Sequence, residues 1–229
     1  MMPAVDTELG TLYSPAELRA LADWAHHHGL VLHVDGARLG NAAAALGCTL
    51  RETTTDVGLD VVCLGGTKSG LMAAEAVVVL NPDAVRGPGY VRKLMGQLPS
   101  KLRFVSAQLI ALYEGDLWLR AAGRANAMAA RLAAGVRRMG AVRITQEPAT
   151  NAVFAALPRG AAERLRSRYF FYDWDERTGD VRWVCSFDTT EEDVDGFLSA
   201  LREALGSDAP ATADPSEPTT PAEATGIAR

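Results

Sequence analysis

Leu18, Leu21, Ala22 and Ala25 recur at i, i+3, i+4 and i+7, the apolar stripe of an amphipathic helix. Ser14-Pro15-Ala16-Glu17 precedes it with the S-x-x-E form of a capping box and a proline at the first helical position. Gly29 ends the run. Leu30-Val31-Leu32-His33-Val34-Asp35 is apolar on both faces, which predicts a buried parallel strand. A short helix is expected from about Arg38 to Leu46, closed by Gly47. Val61-Val62-Cys63-Leu64 predicts a second strand, leading into Gly65-Gly66-Thr67-Lys68, and Ala76–Leu80 predicts a third that stops at Asn81-Pro82. Strands alternating with helices imply an α/β unit with a mainly parallel sheet. A long helical stretch follows from about Pro99 to Met139, with expected breaks near Gly115 and Gly123.

The pattern changes near Ala141. Strands are expected at 141–145, 151–157, 169–174 and 181–187, with a helix at 161–168. A last helix begins at Thr189-Thr190-Glu191-Glu192 and carries Val194, Phe197, Leu198 and Leu201 on one face. This order describes a small α+β unit over 141–206. The segment 207–229 is rich in Pro, Ala, Thr, Ser and Glu and holds a single large apolar residue, Ile227, so it is expected to be disordered. No internal repeat is visible.

Composition narrows the class of protein. With 229 residues, 48% of them hydrophobic, the chain can bury a core. A formal net charge of −5 and a pI near 5.4 argue against nucleic-acid binding, which calls for a basic stripe. Cys48, Cys63 and Cys185 are scattered and odd in number, which fits a reducing compartment. No apolar stretch approaches the roughly 20 residues of a membrane helix. The first residues lack the basic start and apolar core of a secretory signal. The cytoplasm is the expected location.

Asp35 closes one predicted strand and Lys68 lies just past the next. Ligands of open α/β sheets bind beyond the carboxyl ends of strands, so both side chains are expected to face one crevice. A plain salt bridge is one reading of such a pair. The other is a pyridoxal phosphate site, in which an amine bonds the cofactor aldehyde and a carboxylate keeps the pyridine nitrogen protonated.

Several segments carry a resemblance. His33-Val34-Asp35-Gly36-Ala37-Arg38-Leu39 with Asn41-Ala42, and Gly65-Gly66-Thr67-Lys68-Ser69-Gly70, resemble the threonine aldolases of the β-eliminating lyase family. So do Glu8–Ser14, Gly96–Phe104 and Arg182–Thr190, and the likeness runs in order through most of residues 6–205. It implies the type I pyridoxal-phosphate fold, with 1–98 as the C-terminal part of the large domain, 99–140 as a connecting helical stretch and 141–206 as the small domain. It also implies a dimer or tetramer acting on a small amino acid. Lys68 would hold the cofactor covalently and Asp35 would meet its pyridine nitrogen. Arg38 would lie beside the cofactor and the substrate carboxylate, and Thr67 near the cofactor or its phosphate. Arg182 would grip the substrate carboxylate with its planar fork, where position alone reads as a surface arginine.

The implied reaction is cleavage of threonine or allo-threonine to glycine and an aldehyde. Another pyridoxal-phosphate lyase or transaminase, or an inactive fragment serving as an interaction partner, are the alternatives. Relatives are expected to carry about a hundred further residues ahead of the position of Glu8, so the 229 residues alone are expected to bind cofactor weakly and to show little activity. Lys101 and Arg103 either add charge for a phosphate or form a solvated helix end. His33 shares the strand face of Asp35 and reads as a core or supporting residue. His26-His27-His28 points three ways on a helix, which disfavours a metal site. Trp118 and Trp174 read as core.

Overall fold

The computed structural model describes residues 7–206. Helix α1 (Pro15–His27) begins with the expected capping box. Ser14 Oγ accepts the Glu17 N–H at 3.3 Å, and the Glu17 carboxylate accepts the Ser14 N–H at 2.8 Å. Two of the four vacant N-terminal donors of the turn are thereby satisfied. Leu18, Ala22 and Ala25 are buried and Leu21 packs beside them.

Strand β1 is shorter than its apolar pattern suggests. It covers His33–Val34, while Leu30 and Val31 are exposed. The reason is the way pairing starts. Asp60 Oδ2 takes the Leu32 N–H at 2.8 Å, and Leu32 O accepts the N–H groups of Asp60 and Val61. The ladder with β2 (Val61–Gly65) opens only at His33↔Val61 and is parallel. Strand β3 (Glu75–Val79) then pairs antiparallel with β2, from Val61↔Val79 to Gly65↔Glu75. The mainly parallel sheet expected from the sequence is thus one parallel and one antiparallel pair among the described residues, in the order β1-β2-β3.

Asp60 organises the start of this sheet. It is 2% exposed, and its carboxylate also accepts from Asn81 Nδ2 at 2.7 Å and faces His26 Nε2 at 2.9 Å. Burial pushes its carboxyl upward, but the hydrogen bonds from Leu32, Asn81 and His26 outweigh that and hold it below the usual carboxylate range. The three consecutive histidines do diverge: His26 goes to Asp60, and His28 Nδ1 lies 2.8 Å from Trp24 O.

Helix α2 (Leu39–Leu46) ends at Gly47 in the left-handed region, φ 66°. A short helix α3 (Pro88–Leu94), absent from the sequence reading, precedes α4 (Leu102–Tyr113) and α5 (Leu117–Val136). The expected break near Gly115 occurs, whereas Gly123 lies inside α5. Helix α5 packs on α2, where Asn41 and Asn126 exchange hydrogen bonds of 3.0 and 2.9 Å. Tyr90, Leu94 and Met95 of the α3 region are exposed by 85%, 86% and 67%, leaving this helical face uncovered among the described residues.

The second sheet contains β4 (Arg143–Gln146), β5 (Ala152–Ala156), β6 (Tyr172–Asp175) and β7 (Asp180–Val184) in the order β4-β5-β7-β6, all antiparallel. Helices α6 (Arg159–Arg166) and α7 (Glu191–Gly206) complete the layer. Val153, Ala155, Val181 and Trp183 form one core with Leu132, Val136, Leu165, Leu198 and Leu201. Helix α5 therefore packs against both parts, meeting α2 on one side and α7 on the other. The predicted tail, 207–229, lies outside the described residues.

Replacing Asp60 with Asn keeps its size but turns one acceptor oxygen into a donor facing other donors. Urea denaturation is expected to show a loss of about 3 kcal/mol. Asp23→Asn, on the exposed side of α1, should stay within about 0.5 kcal/mol. The folded-state carboxyl is depressed, so its contribution is present above the unfolded value of about 3.9 and is lost as pH falls through the lower folded value. The gap between wild type and Asp60→Asn should hold at neutral pH and shrink only under acid conditions.

Candidate active site

The parallel strands β1 and β2 deliver their following residues to the same edge of the sheet. The turns beyond them press backbone against backbone. A Cβ on Gly36 would lie 2.1 Å from Cys63 O, and one on Gly65 would lie 2.4 Å from Ala37 O. Only glycine permits this approach. Asp35, Arg38 and Lys68 consequently line one cavity of about 510 Å³. Its opposite wall comes from the second sheet, through Ala152, Phe154, Trp174 and Arg182, and the segment Thr7–Tyr13 borders it.

Asp35 is exposed, and its Oδ1 accepts the Ala37 N–H at 2.9 Å. Among the described residues its other oxygen accepts no hydrogen bond. Lys68 sits in the 3-10 turn Thr67–Ser69, and among the described residues its amine has no hydrogen bond and no carboxylate within salt-bridge distance. The plain ion pair with Asp35, one of the two readings of this spacing, is therefore not formed. Arg38 occupies the N-cap position of α2 and is half-buried. Arg182 lies in β7 opposite Tyr172 and Phe154, with its guanidinium carbon 5.0 Å from the centre of the Trp174 ring. Phe154 meets the same ring edge-on at 5.1 Å.

Thr67 adjoins Lys68 but does not line the cavity. Its N–H and that of Gly66 donate to the Glu75 carboxylate at 3.1 and 3.2 Å. His33 Nε2 lies 3.2 Å from Cys63 Sγ, and neither residue lines the cavity. Burial, followed by the charges of Asp35 and Glu75, pushes the Cys63 thiol up. Tyr113 donates to Gly65 O at 3.4 Å, and burial together with Glu75 pushes its hydroxyl up to about 12, so it stays a donor. Lys101 and Arg103 lie at the start of α4, away from the residues lining the cavity.

Trp174, read from the sequence as core, instead lines the cavity. Tyr172 pairs with Arg182, but the ladder slips between Asp173 and Asp175, and Trp174, at that slip, lies against the arginine. A strict two-residue period does not carry across such a slip, so only the register reveals its place. Glu75 and Tyr113 were also missed, because their partners are backbone groups that a sequence motif does not display.

The sequence profile described as Beta-eliminating lyase matches residues 2–158. The low specificity L-threonine aldolase of Pseudomonas aeruginosa is 39% identical over 201 residues, which are 88% of this chain and 58% of that protein. The solved threonine aldolase of Leishmania major superposes with a TM-score of 0.81 at 28% identity, covering 89% of this chain and 60% of its own. The tryptophan decarboxylase of Catharanthus roseus, solved with L-tryptophan, gives a TM-score of 0.68 at 16% identity, covering 90% of this chain and 50% of its own. That last likeness shows the fold alone. The architecture is α/β, part of the large domain of a type I pyridoxal-phosphate-dependent fold followed by a small α+β unit. Within that class, the chain belongs to the β-eliminating lyase family. It spans 58% of the length of the Pseudomonas relative.

The pinch between the two turns is open to a direct test. Gly65→Ala is expected to cost about 1–3 kcal/mol by forcing the Asp35 and Lys68 turns apart. Gly89→Ala, with nothing within 4 Å of the added carbon, should not lower stability. Thermal unfolding of both variants checks this.

Proposed function

We propose that the site works as a pyridoxal-phosphate-dependent aldehyde-lyase of the threonine aldolase type, cleaving threonine or allo-threonine to glycine and an aldehyde. The observation that carries the reading is one cavity lined by an amine, a carboxylate and two guanidinium groups: Lys68, Asp35, Arg38 and Arg182. Its volume lies within the roughly 300–1,000 Å³ of small-molecule pockets. Lys68 is not tied up in an ion pair, and Asp35 keeps one oxygen disengaged among the described residues. Lys68 and Asp35 fit the cofactor's aldehyde and ring nitrogen.

When bound, pyridoxal phosphate supplies an aldehyde for covalent attachment and a pyridine ring that takes up the electron pair released at the substrate Cα. Lys68 would be the attachment point for that aldehyde and, when not bonded to it, a free amine able to carry a proton. Asp35 holds a proton at the ring nitrogen. Thr67, exposed beside Lys68 but outside the cavity lining, would lie near the cofactor or its phosphate. Arg38 and Arg182 bind the substrate carboxylate, each with a planar fork suited to two parallel hydrogen bonds. Trp174 backs the Arg182 guanidinium and limits where it can swing.

A homo-oligomer, dimer or tetramer, belongs to the same proposal and is supported by the uncovered apolar face at Tyr90, Leu94 and Met95. A cytoplasmic role in amino acid metabolism belongs to the same proposal: the location is supported by the scattered, odd-numbered Cys48, Cys63 and Cys185, and the metabolic role by the amino acid substrate proposed above. No helix among the described residues is long and apolar enough to cross a membrane.

The sequence contains three lysines, Lys68, Lys93 and Lys101, which makes the test simple. Incubation with pyridoxal phosphate in excess, to offset the weak binding expected of these 229 residues, followed by borohydride reduction and peptide mapping should label Lys68 above the other two, and Lys68→Ala should abolish that excess. Turnover of threonine, expected to be slight in these residues alone, should yield acetaldehyde and glycine. Equal labelling of the three lysines contradicts the cofactor site. Release of pyruvate or ammonia instead of acetaldehyde favours another pyridoxal-phosphate lyase or a transaminase, and labelling without turnover favours an inactive interaction partner.

A further inference from the structure

We infer that Glu75 is a positioning residue for Lys68, fixing the turn from which the amine reaches the cavity. The inference rests on the reading of Lys68 as the cofactor-attaching amine. It starts from the register of the β2–β3 pair, where Glu75 lies directly across from Gly65, the last residue of β2. From there its two carboxylate oxygens each take one backbone N–H of the turn: Oε2 from Gly66 at 3.2 Å and Oε1 from Thr67 at 3.1 Å. Among the described residues these donors have no other acceptor.

The other bonds in this region hold different groups. Ser69 Oγ and Tyr113 both donate to Gly65 O, Leu71 N–H donates to Gly66 O, and Met72 N–H donates to Gln108 Oε1. They tie down carbonyls and the exit of the turn. Among the described residues, Glu75 alone secures the two N–H groups immediately before Lys68. The turn is rich in glycine, with Gly65, Gly66 and Gly70 around it, so its backbone is costly to order without such a clamp. Bonds to a charged acceptor are also stronger than neutral ones.

Glu75 does not line the cavity, whereas Asp35 does. The two acids therefore have separate tasks, one facing the ligand and one holding the lysine's backbone. A lysine stem is long and flexible, and covalent attachment requires its amine within about 3–3.5 Å of the reacting carbon. Fixing the backbone at residues 66–67 narrows the volume that the amine explores.

The test uses the 229-residue chain, with pyridoxal phosphate in excess as the probe and two readouts. In Glu75→Ala, amide hydrogen exchange at Gly66 and Thr67 should accelerate on the order of 10–100-fold, the loss of a charge-assisted hydrogen bond expressed as a rate. The ratio of borohydride-trapped label at Lys68 to that at Lys101 should fall about tenfold, while Lys93 and Lys101 label as in wild type. Glu75→Gln, which keeps one acceptor oxygen, should recover part of both effects. A general loss of folding would alter labelling at all three lysines, and the ratio separates the two cases. Unchanged exchange at Gly66 and Thr67 overturns the inference. So does a wild-type labelling ratio in Glu75→Ala. A wild type that shows no preference for Lys68 removes the cofactor reading and the inference together, whereas a preference that survives Glu75→Ala removes the inference alone.

Discussion

The architecture depends on where the first parallel ladder begins. Asp60 is buried at that point, and its carboxylate gathers the Leu32 N–H, the Asn81 amide and the His26 ring, while its backbone bonds Leu32, Leu80 and Asn81. A buried charge is tolerable only when its lone pairs are used in this way. The consequence reaches the far end of the sheet. The two parallel strands run the same way from that level start, and although β1 ends at Val34 while β2 continues to Gly65, the turns that follow them leave toward the same end of the sheet. Asp35 and Lys68 line one cavity for that reason, although they are 33 positions apart in the sequence.

Reaching the same edge is not sufficient to build a site. The two turns must also approach closely, and Gly36 against Cys63 O and Gly65 against Ala37 allow it. The second sheet then supplies the opposite wall, with Arg182 held against Trp174. Helix α5 packs on α2 below the first turn and on α7 of the second unit, so one element relates the two halves of the cavity. The groups that hold this frame, Asp60, Asn41 and the glycines, are distinct from those that face the ligand.

Much of this was legible in the residues. The Ser14–Glu17 capping box, the stop at Gly47 and the break near Gly115 are local effects with local signals. The strand ends carrying Asp35 and Lys68 followed from apolar runs closed by turn residues. Where the reading failed, the deciding interaction was remote. Leu30 and Val31 look like strand, yet pairing starts later because Asp60, 28 positions beyond Leu32, takes the Leu32 N–H. The antiparallel direction of β3 depends on the tight return through residues 66–74, which composition does not reveal. Trp174 and Glu75 gained their places only through strand register, against Arg182 and Gly65.

The claim on which the functional account stands is that Asp35 and Lys68 serve one ring from opposite ends. The most direct measurement is 15N NMR of pyridoxal phosphate labelled at the ring nitrogen and reduced onto Lys68. The pH at which that nitrogen loses its proton should fall by about one unit or more in Asp35→Asn relative to wild type, because a neighbouring carboxylate favours the protonated ring. Identical titrations in the two proteins would mean that the acid does not face the ring carried by the lysine, and the account would fail.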